Sequence, residues 1–333
     1  MDRAKRTCSV LIAVGLVFAV LSSPVLAEPY QCDVDGDNRL GLQEAIHGLQ
    51  LIAGLHAAGA QTVLDCGDPP NFSGVISNPG TLSNAAKRYL LCKANEIRSQ
   101  TALGVATAPS GNQPVATNMQ RMQWDENLAT VASNHADECV WAHSDSTSRG
   151  NEYSLLAGLS PGIWIGENIY ASTVDPSVFA GSYGIAGSTD SWSAETAYWT
   201  YGTINGTASC SPGEQCGHYT QQVWAETTKV GCGYYNCASG LTGALSFKTF
   251  VVCNYYPGGN YIGDYPYSAG SSTGDVCTVG TQPGDTCENG LIIPADYTTG
   301  IPYDCDVNAD GKQGLEEIVH ALQVVSGLTT LTL

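Results

Sequence analysis

The sequence predicts an α+β domain held between two short, acidic, helical ends. Three observations carry this expectation: helical periodicity fills the first half of a central segment, two β-rich runs close that segment, and one motif recurs at opposite ends of the chain.

Taken in order, residues 1–27 stand apart from the rest. Arg3, Lys5 and Arg6 precede an apolar run from Val10 to Leu21 that is short for a membrane span, and Val25-Leu26-Ala27 has the small-residue pattern of a cleavage site. This is the layout of a secretory signal, so the chain is expected to be exported and extracellular from Glu28 onward. No other stretch reaches eighteen apolar residues, which argues against an integral membrane protein. Cysteine usage agrees: of 13 cysteines Cys8 lies in the signal, leaving 12, with no CxxC pair to suggest metal thiolates. Lys plus Arg number 13 against 31 Asp plus Glu, a net charge of -18, which excludes a nucleic-acid partner and disfavours an anionic membrane surface.

The recurring motif is Cys32 to Leu55 and Cys305 to Leu328, identical at 12 of 24 positions. Each copy places oxygen donors at the spacing of a twelve-residue calcium loop. In the first these are Asp33, Asp35, Asp37, the Arg39 carbonyl and Glu44; in the second, Asp306, Asn308, Asp310, the Lys312 carbonyl and Glu317. Position six is Asn38 or Gly311, residues that tolerate the left-handed turn needed there. Two Ca²⁺ sites are therefore expected. The helix after each loop has an apolar stripe that it cannot bury alone, so the halves 28–66 and 304–333 are expected to pair into one all-α EF-hand module, within the chain or between chains. The halves resemble dockerins, which raises a scaffold or cell-surface partner as an alternative role. They depart from dockerins in ending the loop with Glu44 and Glu317 and in placing Leu42-Gln43 and Leu315-Glu316 before them.

Two Gly-, Pro- and Ser-rich stretches, 67–83 and 268–303, read as linkers or irregular loops around the central segment 84–267. That segment opens with a helix from Asn84, taken as its N-cap, with Ala85, Tyr89, Cys92 and Glu96 on one face and Leu90, Leu91, Ala94 and Ile97 on another. Asp125 caps a second helix carrying Leu128, Val131, Ala132 and Cys139, and a third is expected from Asp190 to Trp199. Val230–Tyr235 and Phe247–Tyr256 read as an antiparallel pair of strands. The tracts 104–113, 150–162 and 172–188 look like surface insertions.

Chemistry concentrates in four strings: Trp141-Ala-His143-Ser, Gly166-Glu167-Asn168, Trp192-Ser-Ala-Glu195 and Gly217-His218-Tyr-Thr-Gln221. Two imidazoles and two carboxylates could ligate Zn²⁺ or another divalent ion, or act as acid/base pairs. On spacing alone they could equally be four unrelated polar residues.

Resemblance brings them together. Asn95-Glu-Ile-Arg98, Trp124-Asp-Glu-Asn-Leu-Ala129, Gly217-His-Tyr-Thr-Gln-Gln-Val-Trp224 and Phe250-Val-Val-Cys-Asn-Tyr-Tyr-Pro-Gly-Gly-Asn-Tyr261 resemble the signature strings of the CAP family: cysteine-rich secretory proteins, antigen 5 and pathogenesis-related 1 proteins (the SCP domain). The resemblance implies a three-layer α/β/α sandwich over 84–267 and a cleft in which His143, Glu167, Glu195 and His218 converge, the two histidines able to hold a divalent metal. It implies a small lipid-like or peptide ligand, with a metal-dependent hydrolase or protease using the same tetrad as the alternative. It also implies disulfides Cys139–Cys237, Cys210–Cys216 and Cys232–Cys253. Cys32, Cys66, Cys92, Cys277, Cys287 and Cys305 are left with 15 possible connectivities. Cys277–Cys287 is the local candidate, and Cys32 could pair with Cys66 or with Cys305.

Overall fold

The computed structural model describes residues 61–67, 69, 82–205, 209–243, 246–301 and 319. The signal segment, both calcium-loop sequences, Cys32 and Cys305 lie outside the described residues.

Helix α1 (Asn84–Ala102) is capped by Ser83 and not by Asn84, because the Ser83 hydroxyl accepts from the Ala86 amide at 3.2 Å while Asn84 already belongs to the first turn. Its buried residues Tyr89, Leu90, Leu91, Ala94 and Ile97 make one broad apolar face. A short hairpin, β1 (Thr107–Ala108) and β2 (Gly111–Asn112), fills the first tract read as an insertion. After β3 (Gln123–Trp124), α2 (Glu126–Asp137) starts where expected. The Asp125 carboxylate accepts from the Asn127 and Leu128 amides. Cys139 falls beyond its end, with φ 53°.

Helix α3 (Ser146–Ala157) occupies much of the second tract read as a surface insertion. Its small polar sequence carries little amphipathic signal, yet Tyr153 and Arg149 are buried and Asp145 caps it by accepting from Ser148 N. Strand β4 (Gly166–Ser172) follows. The expected helix from Asp190 to Trp199 is instead α4 (Gly187–Ala194) and a 3₁₀ turn, Glu195–Tyr198. Helix α5 (Gly217–Gln222), β5 (Lys229–Asn236) and β6 (Thr249–Tyr256) complete the central segment. Residues 268–301, whose composition suggested a linker, carry a 3₁₀ turn and the hairpin β7 (Thr286–Glu288) and β8 (Leu291–Ile293), with Leu291 and Ile292 buried.

The main sheet has the order β3-β5-β6-β4, with β6 antiparallel to both neighbours and β3 parallel to β5. Both faces are covered, so the strands read as nearly continuous apolar runs. Val230, Cys232, Tyr234, Val251, Cys253 and Tyr255 pack with Tyr89, Leu90 and Trp192 of α1 and α4. Phe250 and Val252 point the other way, to Ala132 and Ala136 of α2. On that face β5 offers Gly231 and Gly233, and a Cβ at either would collide with α2 backbone at Asp125, Ala129 or Ser133. The two glycines let α2 lie directly on the sheet. This is an α/β/α sandwich.

Five disulfides are formed among the described residues. Cys139–Cys237, Cys210–Cys216 and Cys232–Cys253 are the pairs that the resemblance implied, and Cys277–Cys287 is the local candidate. The fifth overturns the Cys32–Cys66 alternative: Cys66 is bridged to Cys92 in the middle of α1. No helix among the described residues is long and apolar enough to cross a membrane.

Candidate functional site

Four separate elements deliver the four residues singled out in the sequence. His143 stands on the loop between α2 and α3, Glu167 is the second residue of β4, Glu195 opens the 3₁₀ turn after α4, and His218 lies in the first turn of α5. The fold brings them together as two pairs. His143 Nδ1 lies 2.9 Å from Glu167 Oε1, and His218 Nδ1 lies 2.6 Å from Glu195 Oε1. A carboxylate only accepts, so each Nδ1 carries a proton, and in the neutral ring the lone pair is therefore on Nε2. Neither Nε2 has a hydrogen-bond partner among the described residues. The two imidazole centroids are 6.4 Å apart.

Each carboxylate is anchored from behind. Glu167, its side chain 1% exposed, also accepts from Ser144 N at 2.9 Å and Ser144 Oγ at 2.6 Å, and Arg149 Nη1 lies 3.2 Å away. Arg149 is itself fixed by donating to the carbonyls of Ser144 and Ile165 and to Ser144 Oγ. Burial opposes ionisation of Glu167, but the His143 bond, the Arg149 charge and the Ser144 bond outweigh it and bring the carboxyl down to about 2. Burial lowers the Arg149 guanidinium, opposed by Glu167 and Asp145. On the other side, Glu195 Oε2 accepts from the amides of His218 and Tyr219, a carboxylate seated on the first turn of α5. The His218 ring stacks on Trp192 at 6.1 Å and 26°. Because Ser144 Oγ is bonded to Glu167 and Arg149, it forms no Ser-His-Glu relay.

The cleft has a volume of about 310 Å³ and is lined by His143, Glu167, Asn168, His218, Asn260 and the 215–217 turn held by Cys210–Cys216. Glu195 does not line it; it acts through His218. Asn168 Nδ2 donates to the His218 carbonyl and Asn260 Nδ2 to the Gly217 carbonyl, fixing the α5 end of the wall. Sequence reasoning passed over Arg149 and gave no role of their own to Asn168, Asn260 and Asn254, whose Nδ2 donates to Glu167 Oε2 at 3.4 Å. Arg149 sits at the edge of a tract read as a surface insertion, where a single cation between Asp145 and Glu152 was the available signal.

The arrangement fits a divalent cation in its donor chemistry. Histidine ligands are ordinarily oriented through the second ring nitrogen by a carboxylate, which is the state of both imidazoles here. Metal–nitrogen bonds of about 2.0–2.1 Å at a tetrahedral angle put two imidazole centroids on one ion roughly 5–5.5 Å apart, so the rings, at 6.4 Å, must close by about 1 Å to share an ion. Among the described residues no group of three or more His, Cys, Asp or Glu is placed to hold a metal.

Residues 93–255 match the cysteine-rich secretory protein family, CAP. Peptidase inhibitor 16 of Bos taurus is 32% identical over 239 residues, 71% of this chain and 42% of that protein. GLIPR1-like protein 1 of Mus musculus is 35% identical over 189 residues, 56% of this chain and 68% of that protein. Scoloptoxin SSD552 of Scolopendra dehaani is 31% identical over 188 residues, covering 56% and 72%. The chain spans about two fifths of the length of the peptidase inhibitor 16 proteins that it matches, 42% of the bovine and 38% of the human one. Among solved structures, that of Na-ASP-1 is similar at 31% identity and a TM-score of 0.49, covering 65% of this chain and 48% of that one. The structure titled NaASP2 with Zn²⁺ is similar at 29% identity and a TM-score of 0.48, covering 66% and 99%. With the sandwich, the disulfides and matches of this extent, the chain belongs to the cysteine-rich secretory protein (CAP) family.

Proposed function

We propose that this chain is an exported binding protein. Its cleft takes the polar end of a small lipid-like or extended peptide ligand beside a divalent cation, Zn²⁺, held by His143 and His218. The observation that carries this reading is the paired orientation of the two imidazoles, each held through Nδ1 by an anchored carboxylate, so that two Nε2 bases are left at the cleft. When bound, the cation would supply Lewis-acid attraction for a carbonyl or anionic group of the ligand. The protein's own part is to orient the ligating nitrogens and to present Asn168 and Asn260 as polar contacts. A volume of about 310 Å³ is at the low end for small-molecule sites, which suits a head group more than a whole lipid. The basic signal at 1–27 and the five disulfides support export.

The same geometry weighs against the hydrolase alternative. A general base needs a free, moderately basic oxygen, whereas both oxygens of Glu167 and of Glu195 are taken by protein donors. The two acidic ends are proposed as Ca²⁺ sites on the strength of their ligand spacing, serving stability or attachment to a scaffold or cell-surface partner.

Calorimetric titration of Zn²⁺ into the chelator-stripped full chain tests the cleft. The expected result is one site, weakened at least tenfold in a His143→Ala/His218→Ala double variant. Equal affinity in the two proteins would overturn the reading. Native mass spectrometry of the purified chain identifies the ligand class.

A further inference from the structure

The third described histidine near the cleft, His135, lies in the last turn of α2 and is buried. Its Nδ1 is 3.0 Å from Glu138 Oε2 and its Nε2 is 2.8 Å from the Ala142 carbonyl oxygen. Both partners are acceptors, so satisfying both requires two ring N–H groups, and only the imidazolium has two. The C-terminal end of a helix favours that cation. Glu138 faces it from the C-cap of α2 and Glu167 acts on it through space from β4, while Phe250 of β6 packs edge-on against the ring at 5.5 Å.

The loop that His135 grips is the one that carries His143. From Cys139 to His143 it is tied down by the Cys139–Cys237 disulfide, by Trp141 N donating to the Thr242 carbonyl at 3.0 Å, and by Trp141 packing edge-on with Phe250 at 5.9 Å. The Ala142 carbonyl, one residue before His143, is held only by His135 in the hydrogen bonds of the described residues.

We propose that His135 is a positioning residue for the cleft. As the imidazolium it staples α2 to the 138–143 loop and fixes the backbone from which His143 reaches Glu167. This rests on the cleft reading only for its metal consequence. The staple has both of its bonds only when both ring nitrogens carry a proton.

Side-chain ¹⁵N NMR of the full chain between about pH 5 and about pH 8 tests this, with His135→Phe keeping the ring packing on Phe250. Two protonated nitrogens on His135 are expected at the acid end. In His135→Phe, His143 is expected to move from the Nδ1–H tautomer toward a mixture, with Zn²⁺ binding weakened about tenfold. An unchanged His143 tautomer in the folded variant, or a His135 with one protonated nitrogen throughout the range, would overturn the proposal. Should His135→Phe fail to fold, His135→Gln, which keeps one donor for the Ala142 carbonyl, is expected to show a partial shift of the same signal. A wild-type chain that takes up no Zn²⁺ would sink the cleft reading while the His143 tautomer still decides the role of His135.

Discussion

Glu167 shows how a single side chain can be bound to the fold more tightly than to any ligand. A carboxyl held near 2 against an ordinary value of 4.5 stabilises the folded state. Because the folded value is the lower one, that stabilisation is present above the unfolded value and is lost as pH falls from about 4.5 toward about 2. The side chain is buried, so little is screened, and the shift corresponds to the order of 3 kcal/mol. Glu167→Gln is therefore expected to lose stability of that order at neutral pH and to show a flatter stability profile between about pH 4.5 and about pH 2 in urea unfolding. A variant with the wild-type acid profile would place the acid sensitivity elsewhere. The four site residues were legible one by one in the sequence, but their pairing was not. Nothing in the spacing of Glu167 and His143 says that Arg149 and Ser144 stand behind them, because those contacts exist only once α3 is folded against β4.

At the scale of the element, the signature strings turn out to be structural before they are functional. Arg98 is completely buried in α1 and donates to five carbonyls, those of Gln120, Gln222, Trp224, Ala225 and Thr227. Burial pulls the guanidinium down to about 9, opposed by Tyr255, yet the carbonyl cage is arranged for the cation. It clamps the turn that joins α5, with His218, to β5. Arg98→Lys cannot span that fork and is expected to cost about 3 kcal/mol in denaturant unfolding; a loss under about 1 kcal/mol would show that the turn holds without it. Asn95 does the matching job for β3, pairing with both the amide and the carbonyl of Met122. The β5 glycines make the same point in reverse. Gly231→Ala would drive a methyl group into the backbone of α2, so a loss of about 1–3 kcal/mol or more is expected by thermal or denaturant unfolding. Wild-type stability there would mean that α2 can lift off the sheet. Helices α1 and α2 and strands β5 and β6 were readable because each has a cap or an apolar period. Strand β4 and helix α3 were not, since β4 is seven residues with Asn and Glu among them, and α3 is small and polar.

At the scale of the molecule, the acidity divides unevenly: residues 28–68 and 275–333 hold 16 acids and two bases, seven of those acids at calcium-ligand positions. The compact unit between the loops presents both of its chain ends along α1. Near the N-terminal end, Cys66 is bridged to Cys92, and the Thr62 carbonyl accepts from Asn289. Near the C-terminal end, Tyr297 donates to the Met122 carbonyl, which also accepts from Asn95 of α1, and Ile301 is buried in the cluster against which Cys66 packs. Pairing of the two half-modules within a molecule closes a loop through the central unit, and the entropy cost of such closure grows only slowly with loop length. Intramolecular pairing predicts that spectroscopic labels at Gln31 and Asp304 in the monomer give one short distance in Ca²⁺ and a broad, longer distribution in chelator. It also predicts that Ca²⁺ raises the unfolding temperature at a midpoint independent of protein concentration. A monomer whose label distance ignores Ca²⁺, or a calcium-driven rise in sedimentation coefficient with concentration, would mean that the halves pair between chains.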